Sequence, residues 1–328
     1  MFRYSRLIVA GVVVAFASWC VLSLRADISR MSLWPLWESR NLALAVVMLT
    51  FLSYTLRIAR WRWYLTRLGY RVPLGFAAMT YVAGFAFTLS PGKLGELLRA
   101  RYYTAAGVPL RDVTAAFCVE RLMDLLALLI LALLAIRAFP HYQGSIWSAG
   151  VVIAIAAAVP AFLPTKSITH LLESSPRLPR RLAQAAGSAL RSLDAARSLM
   201  SPQTLILGLL VALAAWGLEG FGLGLLGSIF SPTHNDVSIS AGIYAVAVLL
   251  GALSFLPGGL GSTETVMAAL LTSRGYTFAD ALMATLACRA TTLWLGVGLG
   301  WIAIALLRHG PQQETNSLMR CHKWPSEP

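Results

Sequence analysis

Glu120, Arg121 and Asp124 sit together inside a long apolar run, where a charge is costly enough to need a partner or a task. Glu120 and Asp124 are one helical turn apart on one face, and Arg121 can pair with Asp124 at i, i+3. Paired carboxylates of this kind carry out acid–base work or hold a proton. Upstream, Lys93, Glu96 and Arg99 recur every three residues. Downstream, Glu264 and Arg289 again set an acid near a glycine break against an arginine in the next run. The basic members, Lys93, Arg99, Arg121 and Arg289, are the candidate substrate-binding residues and suit a phosphate or carboxylate, which arginine grips through two parallel hydrogen bonds and lysine attracts as a point charge. The acidic members, Glu96, Glu120, Asp124 and Glu264, serve as ion-pair partners or proton carriers, and Glu219 is a further charge within an apolar run. Interlocking salt bridges and substrate contact are both open to these groups.

No nucleophile has an adjacent base, and neither a phosphate-cradling P-loop nor a dinucleotide fingerprint occurs, so neither enzymatic activity nor a cofactor is expected. Cys20, Cys118, Cys288 and Cys321 are scattered without a C-x-x-C pair. His141, His170 and His234 fall between apolar runs without spaced partners, so neither a disulfide framework nor a metal site is expected.

The elements that position these charges must be membrane helices. Of 328 residues, 57% are apolar and 12% charged, against about 45–50% and about 25% in a soluble domain. Mean hydropathy is +0.68, so a soluble enzyme, a secreted domain and a disordered chain are excluded. A net charge of +13 would suggest nucleic acid in a soluble protein; here an excess of Lys and Arg in cytoplasmic loops accounts for it, and no nucleic-acid partner is expected.

The apolar runs are 7–24, 41–56, 76–89, 113–136, 146–163, 203–229, 240–256 and 281–307. The first is longer than a signal-peptide core and lacks an A-x-A site, so it reads as a span. Runs 76–89 and 240–256 reach only about 21 and about 25 Å at 1.5 Å per residue, short of a bilayer. Each ends in a Pro-Gly break rather than a charged loop. If all eight cross with the N-terminus inside, the inner loops hold 11 Lys/Arg and the outer ones 14, against the positive-inside rule. If the two short runs dive in and return, the inner segments hold 20 and the outer ones 5. The expected fold is therefore all-α: a polytopic membrane helical bundle of about six full spans plus two re-entrant helical hairpins, 76–106 opening inward and 240–273 opening outward. These lie in a single transmembrane domain, 1–308, with both termini cytoplasmic in the plasma (inner) membrane.

Pro91-Gly92-Lys93-Leu94-Gly95 and Pro257-Gly258-Gly259-Leu260-Gly261 match at four of five positions, and lie 30 and 32 residues before Arg121 and Arg289. With the favoured crossing pattern, the two halves form an inverted repeat. Broken helices in equivalent positions of inverted halves point to a transport site near the bilayer midplane. Non-helical backbone at that depth must be buried or line a wet cavity, because unpaired amides in hydrocarbon are costly. The breaks comprise Ser90, Pro91, Gly92 and Gly95 in the first hairpin and Pro257, Gly258, Gly259 and Gly261 in the second. A helix restarting there offers free N–H groups to an anion, with Ser90 as cap and Pro91 at the first position in one hairpin, and Ser262 or Thr263 as cap in the other.

Segment 164–202 carries Lys166, Arg177, Arg180, Arg181, Arg191 and Arg197 and is expected inside. From Arg180, Leu182, Ala186, Ala189, Leu193, Ala196 and Met200 recur at helical spacing, as in an amphipathic helix on an anionic leaflet or a connector packed on the protein. The tail 309–328 reads as disordered. The cluster Arg57, Arg60, Trp61, Arg62, Trp63, Tyr64 reads as an interfacial anchor, and Gly217, Gly220, Gly224, Gly296 and Gly300 as sites of close helix packing.

The string Ser90-Pro91-Gly92-Lys93-Leu94-Gly95-Glu96-Leu97-Leu98-Arg99, the set Glu120-Arg121-Leu122-Met123-Asp124, and Leu256-Pro257-Gly258-Gly259-Leu260-Gly261 with Glu264 and Arg289 resemble the lysylphosphatidylglycerol synthase transmembrane, flippase-like, family. The likeness covers about residues 5–308. It implies a polytopic plasma-membrane protein that moves an anionic or aminoacylated lipid, or a polyprenyl-linked or hopanoid-type lipid, between leaflets. Full-length synthases of that family carry a soluble aminoacyl-transferase domain after the membrane part, and this chain ends about 20 residues past its last run, so lysyl transfer is not expected of it. Seven residues separate Pro257 from Glu264 but five separate Pro91 from Glu96, so the hairpins are not strictly equivalent.

The expected function is that of a lipid flippase or transporter with a headgroup cavity at the midplane. The alternative is a non-catalytic membrane subunit that presents lipid to, or scaffolds, a separately encoded lipid-modifying transferase. A third reading makes Glu120 and Asp124 the acid and base of an intramembrane enzyme. Membrane lipids with an anionic headgroup are the expected partners, with the separate enzyme in the alternative, and an oligomer is compatible with either.

Overall fold

A computed structural model of the protein describes residues 32–135, 180–234, 236–254 and 256–309, with short pieces at 138–139, 144, 147–148, 150–151 and 322–323. The expected span 7–24, nearly all of 146–163, the linker before Arg180 and most of the tail lie outside the described residues.

The described chain is helical almost throughout. After α1 (Trp34–Glu38) comes α2 (Arg40–Arg67), whose 28 residues contain neither Gly nor Pro and extend over about 42 Å. The two-residue strand β1 (Tyr70–Arg71) leads into α3 (Leu74–Phe85), a 3₁₀ segment (Pro91–Arg99), α4 (Ala100–Ala105) and α5 (Leu110–Ala132). Then follow α6 (Arg180–Ser198), α7 (Pro202–Phe230), α8 (Val237–Leu253), a 3₁₀ turn (Pro257–Gly259) and α9 (Ser262–Ser273). The last stretch runs from α10 (Phe278–Arg289) through a π-helical turn (Ala290–Trp294) into α11 (Leu295–His309). Strand β2 (His322–Lys323) pairs antiparallel with β1.

Side-chain caps start three of these helices. Ser201 accepts from the Thr204 N–H ahead of Pro202, Asp236 from the N–H groups of Ser238 and Ile239, and Thr277 from that of Asp280. α2, α7 and the stretch Phe278–Arg308 are long and apolar enough to cross a membrane, while α3 and α8 are shorter apolar helices of 12 and 17 residues.

α2 and α7 pack antiparallel. Arg60 near the end of α2 bonds the Gly208 carbonyl near the start of α7, Arg57 and Ser53 meet Glu219, and Val46 approaches Gly222. Their opposite ends each launch a helical hairpin. The first consists of α3 and the returning 3₁₀ segment with α4, and its two feet are tied by a 2.6 Å hydrogen bond from Tyr70 Oη to Asp112. The second consists of α8 and α9, and its feet meet where the His234 ring lies against Gly275 and Tyr276. The hairpin tips touch: the 3₁₀ segment meets the 3₁₀ turn, and Leu89 lies against Gly258.

Small residues permit close approach elsewhere in the bundle. Gly220 and Gly224 of α7 face Ala241 and Val237 of α8, Gly300 of α11 lies against Phe85 and Ala86, and Gly296 lies beside Tyr54. Gly217 has open space beside it and makes no such contact. α6 packs on α5, with Leu190, Ala196 and Leu199 buried, which is the packed-connector form of the linker helix.

Two expectations are corrected. The cluster around Arg57 is not an interfacial anchor, because Arg57, Arg60, Trp61 and Tyr64 are buried within a helix that continues unbroken to Arg67. Neither Ser262 nor Thr263 caps α9. Gly261 occupies that position with φ +82°, and the Glu264 carboxylate reaches back 2.7 Å to its N–H. Ser262 is turned away, donating to the Gly259 carbonyl at 3.0 Å and meeting Ser254 at 2.9 Å.

Candidate functional site

A cavity of about 320 Å³ lies where the hairpin tips face α2, α5, α7 and the last helical stretch. Its charged lining is Arg57, Glu96, Arg121, Asp124, Glu219 and Arg289, and an apolar side is formed by Leu125, Leu128, Val248, Leu253, Leu256 and Leu293. Leu253 and Leu256 are exposed, so the apolar side continues to the molecular surface.

Each charge is held by identifiable partners. On α7, Glu219 accepts from Ser53 (2.7 Å), Arg57 (2.8 Å) and Tyr244 (2.5 Å), and the Arg57 guanidinium stacks 3.9 Å from the Trp216 ring. On α5, Asp124 pairs with Arg60 at 2.6 Å, while Glu120 accepts from Tyr81 (2.6 Å) and from Arg99. Arg99 is enclosed, its guanidinium 3.6 Å from the Trp61 ring and 4.6 Å from that of Tyr81, and it does not line the cavity. Arg289 donates to Glu264 at 2.6 Å and to the Gly258 carbonyl at 2.9 Å, tying the last stretch to the tip of the second hairpin. In a dry interior such pairs persist because breaking one strands the other charge.

Arg121 is held differently. Its Nη2 lies 3.0 Å from Asp124, 3.6 Å from Glu96 and 3.8 Å from Glu120, and its buried Nε has no hydrogen-bond partner among the described residues. At 19% side-chain exposure it is more open to the cavity than Arg57 or Arg289, at 6% and 8%. Glu96 is buried and accepts from the Thr88 hydroxyl at 3.0 Å.

Thus Glu96, Arg121, Asp124 and Arg289 come together around the cavity, with Glu120 and Glu264 behind them, whereas Arg99 is walled off. Lys93 and the breaks Pro91 and Gly92 fall in the 3₁₀ segment. Ser90 makes no side-chain cap bond, contrary to expectation; its hydroxyl accepts instead from the Gly95 N–H five residues on, folding the first break onto itself. Gly258, Gly259 and Gly261 all have positive φ. Among the described residues no group of three His, Cys, Asp or Glu side chains is placed to hold a metal.

Sequence reading missed Ser53, Arg57 and Arg60 as site residues, along with Tyr81 and Tyr244. The signal was present in α2: Thr50, Ser53, Arg57, Arg60 and Tyr64 recur at three- and four-residue spacing, a polar stripe running out of an apolar helix.

These features define a helical membrane protein with a charge-lined internal cavity. The family described as lysylphosphatidylglycerol synthase TM region matches over residues 6–300, and the chain belongs to it. A relative, the uncharacterized protein slr0712 of Synechocystis sp. (strain ATCC 27184 / PCC 6803 / Kazusa), is 36% identical over 94 residues, a match spanning 27% of this chain and 29% of the relative.

Proposed function

We propose that this protein is a lipid flippase or transporter, in which the cavity between the two hairpin tips receives an anionic headgroup while the acyl chains stay in lipid. The observation that carries the reading is the cavity itself. It has a charged wall with one loosely held arginine and an apolar side that reaches the surface. Ligand pockets begin at about 300 Å³, so a cavity of about 320 Å³ suits a headgroup and excludes a whole two-chain lipid. Arg121 is the group for the phosphate or carboxylate, since Arg289 and Arg57 are already committed to directed hydrogen bonds.

The hairpins act as re-entrant elements that enter from opposite faces and form an inverted repeat. Support comes from the tied feet of each hairpin, the antiparallel helices that launch them and the contact between their tips. The setting is the plasma (inner) membrane with both termini cytoplasmic. The role is transport rather than catalysis, with anionic, aminoacylated or polyprenyl/hopanoid-type lipids as the candidate class.

The test is leaflet transfer of fluorescent phosphatidylglycerol in reconstituted vesicles, read by quenching from outside. The parent should move lipid faster than empty vesicles. Arg121→Ala should lower the rate by about tenfold or more, the loss of one charge-assisted pair, and Arg121→Lys should fall between. A parental rate in Arg121→Ala, with normal membrane insertion, would remove the headgroup role of this residue.

A further inference from the structure

Among the described side chains the buried cluster is electrically balanced. Arg57, Arg60, Arg99, Arg121 and Arg289 face Glu96, Glu120, Asp124, Glu219 and Glu264, and around the cavity itself three arginines face three carboxylates. An anion entering such a site leaves one negative charge in excess, in surroundings where an uncompensated charge is poorly tolerated. Either the headgroup brings its own cation or the site must acquire one.

We infer that an anionic headgroup enters this cavity together with one proton, which Glu96 takes up as the headgroup draws Arg121 away. The inference rests on the reading that the cavity receives a lipid headgroup. The choice of residues follows from their partners. Arg57 is fixed by Glu219, Ser53 and the Trp216 ring, and Arg289 by Glu264 and the Gly258 carbonyl. Of the three arginines lining the cavity, Arg121 has the longer ion pairs, a ring contact with Phe117 at 5.5 Å and, among the described residues, an unpartnered Nε, so it is the one free to turn to a ligand.

When Arg121 turns, three carboxylates lose a neighbour. Asp124 loses the 3.0 Å contact at Oδ2 but keeps Arg60 at 2.6 Å on Oδ1, and Glu120 keeps Arg99 and Tyr81. Among the described side chains Glu96 keeps the Thr88 hydroxyl alone, since Arg99, one 3₁₀ turn further along, is engaged by Glu120. The remaining charges lining the cavity, Arg57 on α2, Glu219 on α7 and Arg289 on α10, are paired among themselves or with Glu264, and Tyr54, Tyr81 and Tyr244 present neutral hydroxyls. Lys93 lies one 3₁₀ turn before Glu96 on the same segment.

Glu96 is therefore the carboxylate stranded by substrate. A hard metal cation would need a shell of about six or more oxygens there, whereas a proton needs only the Oε2 that Arg121 vacates. The proton comes from hydronium or buffer acid in bulk solution, bonds to Glu96 Oε2, and returns to bulk solution when the headgroup leaves and Arg121 swings back. The activity so described is proton-coupled movement of an anionic lipid, with Glu96 and Arg121 as the exchanging pair.

The experiment is calorimetric titration of the purified protein in mild detergent with dioctanoyl phosphatidylglycerol, run near neutral pH in Tris and in HEPES. The difference in heats counts the protons taken up per lipid bound. The expected count is about one, with Kd rising about tenfold per pH unit across the range in which binding takes up a proton. Dioctanoyl phosphatidylethanolamine, whose headgroup carries both charges, should bind without uptake, and Glu96→Gln should bind phosphatidylglycerol without uptake or pH slope. Binding by the parent with no proton uptake, uptake retained in Glu96→Gln, or a sodium requirement in place of the pH slope would overturn the coupling and leave the headgroup reading standing. Equal uptake with both lipids would overturn the charge-balance reasoning. Failure of the parent to bind either lipid would remove the headgroup reading, and this inference with it.

Discussion

Glu219 accepts from Ser53, Arg57 and Tyr244 at once, and Arg57 is in turn covered by Trp216, so the pair is buried and well partnered. Such a pair contributes little net stability but is dangerous to break, because the survivor is left charged and buried. Arg57→Met alone should cost about 3–5 kcal/mol, and the double variant Arg57→Met, Glu219→Leu should recover most of it. Denaturant unfolding in detergent across the four forms of the cycle measures this, and additive losses would contradict the pairing. Glu120, Asp124 and Glu219 stand out in the sequence, because a carboxylate inside an apolar run has no interfacial explanation, and Glu96 and Glu264 by their place just after the Pro-Gly breaks. Arg57 and Arg60 do not, because arginine beside tryptophan at the end of an apolar run is also what a membrane-surface anchor looks like. The two cases differ only in whether the helix continues inward past the charge, and that depends on packing against α7 and α5.

The hairpins show what a Pro-Gly break specifies and what it leaves to tertiary contact. Short apolar runs ending in Pro-Gly were sufficient to mark where the chain turns back in both helical hairpins. The nature of the restart was not marked. After Ser90 the chain resumes as a nine-residue 3₁₀ segment, which sets residues three apart in line, so Lys93, Glu96 and Arg99 share a register. In the second hairpin the restart depends on Gly261 and Glu264 rather than on a hydroxyl cap, a difference foreshadowed by the longer spacing from Pro257 to its acid. Gly258 is the pivot of this tip, with φ +62° and a Cβ direction that points 2.8 Å from the Leu89 side chain. Gly258→Ala should therefore lose about 1–2 kcal/mol from backbone strain alone and also loosen the contact between tips. Gly217→Ala, in open space on α7, should be neutral or stabilising by up to about 1 kcal/mol. Melting temperatures of the two variants against the parent provide the check, and equal shifts would mean that the tip contact is incidental.

At the scale of the whole molecule, the balance of the inner cluster means that the entire excess of +13 lies outside it. Charge that plays no part in the cavity is free to set orientation, and counting Lys and Arg over loops is what favours re-entrant hairpins over two further spans. The geometry adds a constraint that counting lacks. Because α2 and α7 run antiparallel, the feet of the first hairpin, near Tyr70 and Asp112, and those of the second, near His234 and Tyr276, lie at opposite ends of the bundle. On the transport reading proposed above, two helical hairpins that meet by their tips between those ends would each form a gate, and tilting one would open its side while the other stays closed. Thr104 and Thr233 are exposed residues close to the two sets of feet. In a background with the native cysteines replaced, Thr233→Cys should react with a membrane-impermeant maleimide on intact cells, and Thr104→Cys only after permeabilisation. Labelling of both from the same side would place both hairpins on one face, and a cavity gated alternately from the two leaflets would then be ruled out.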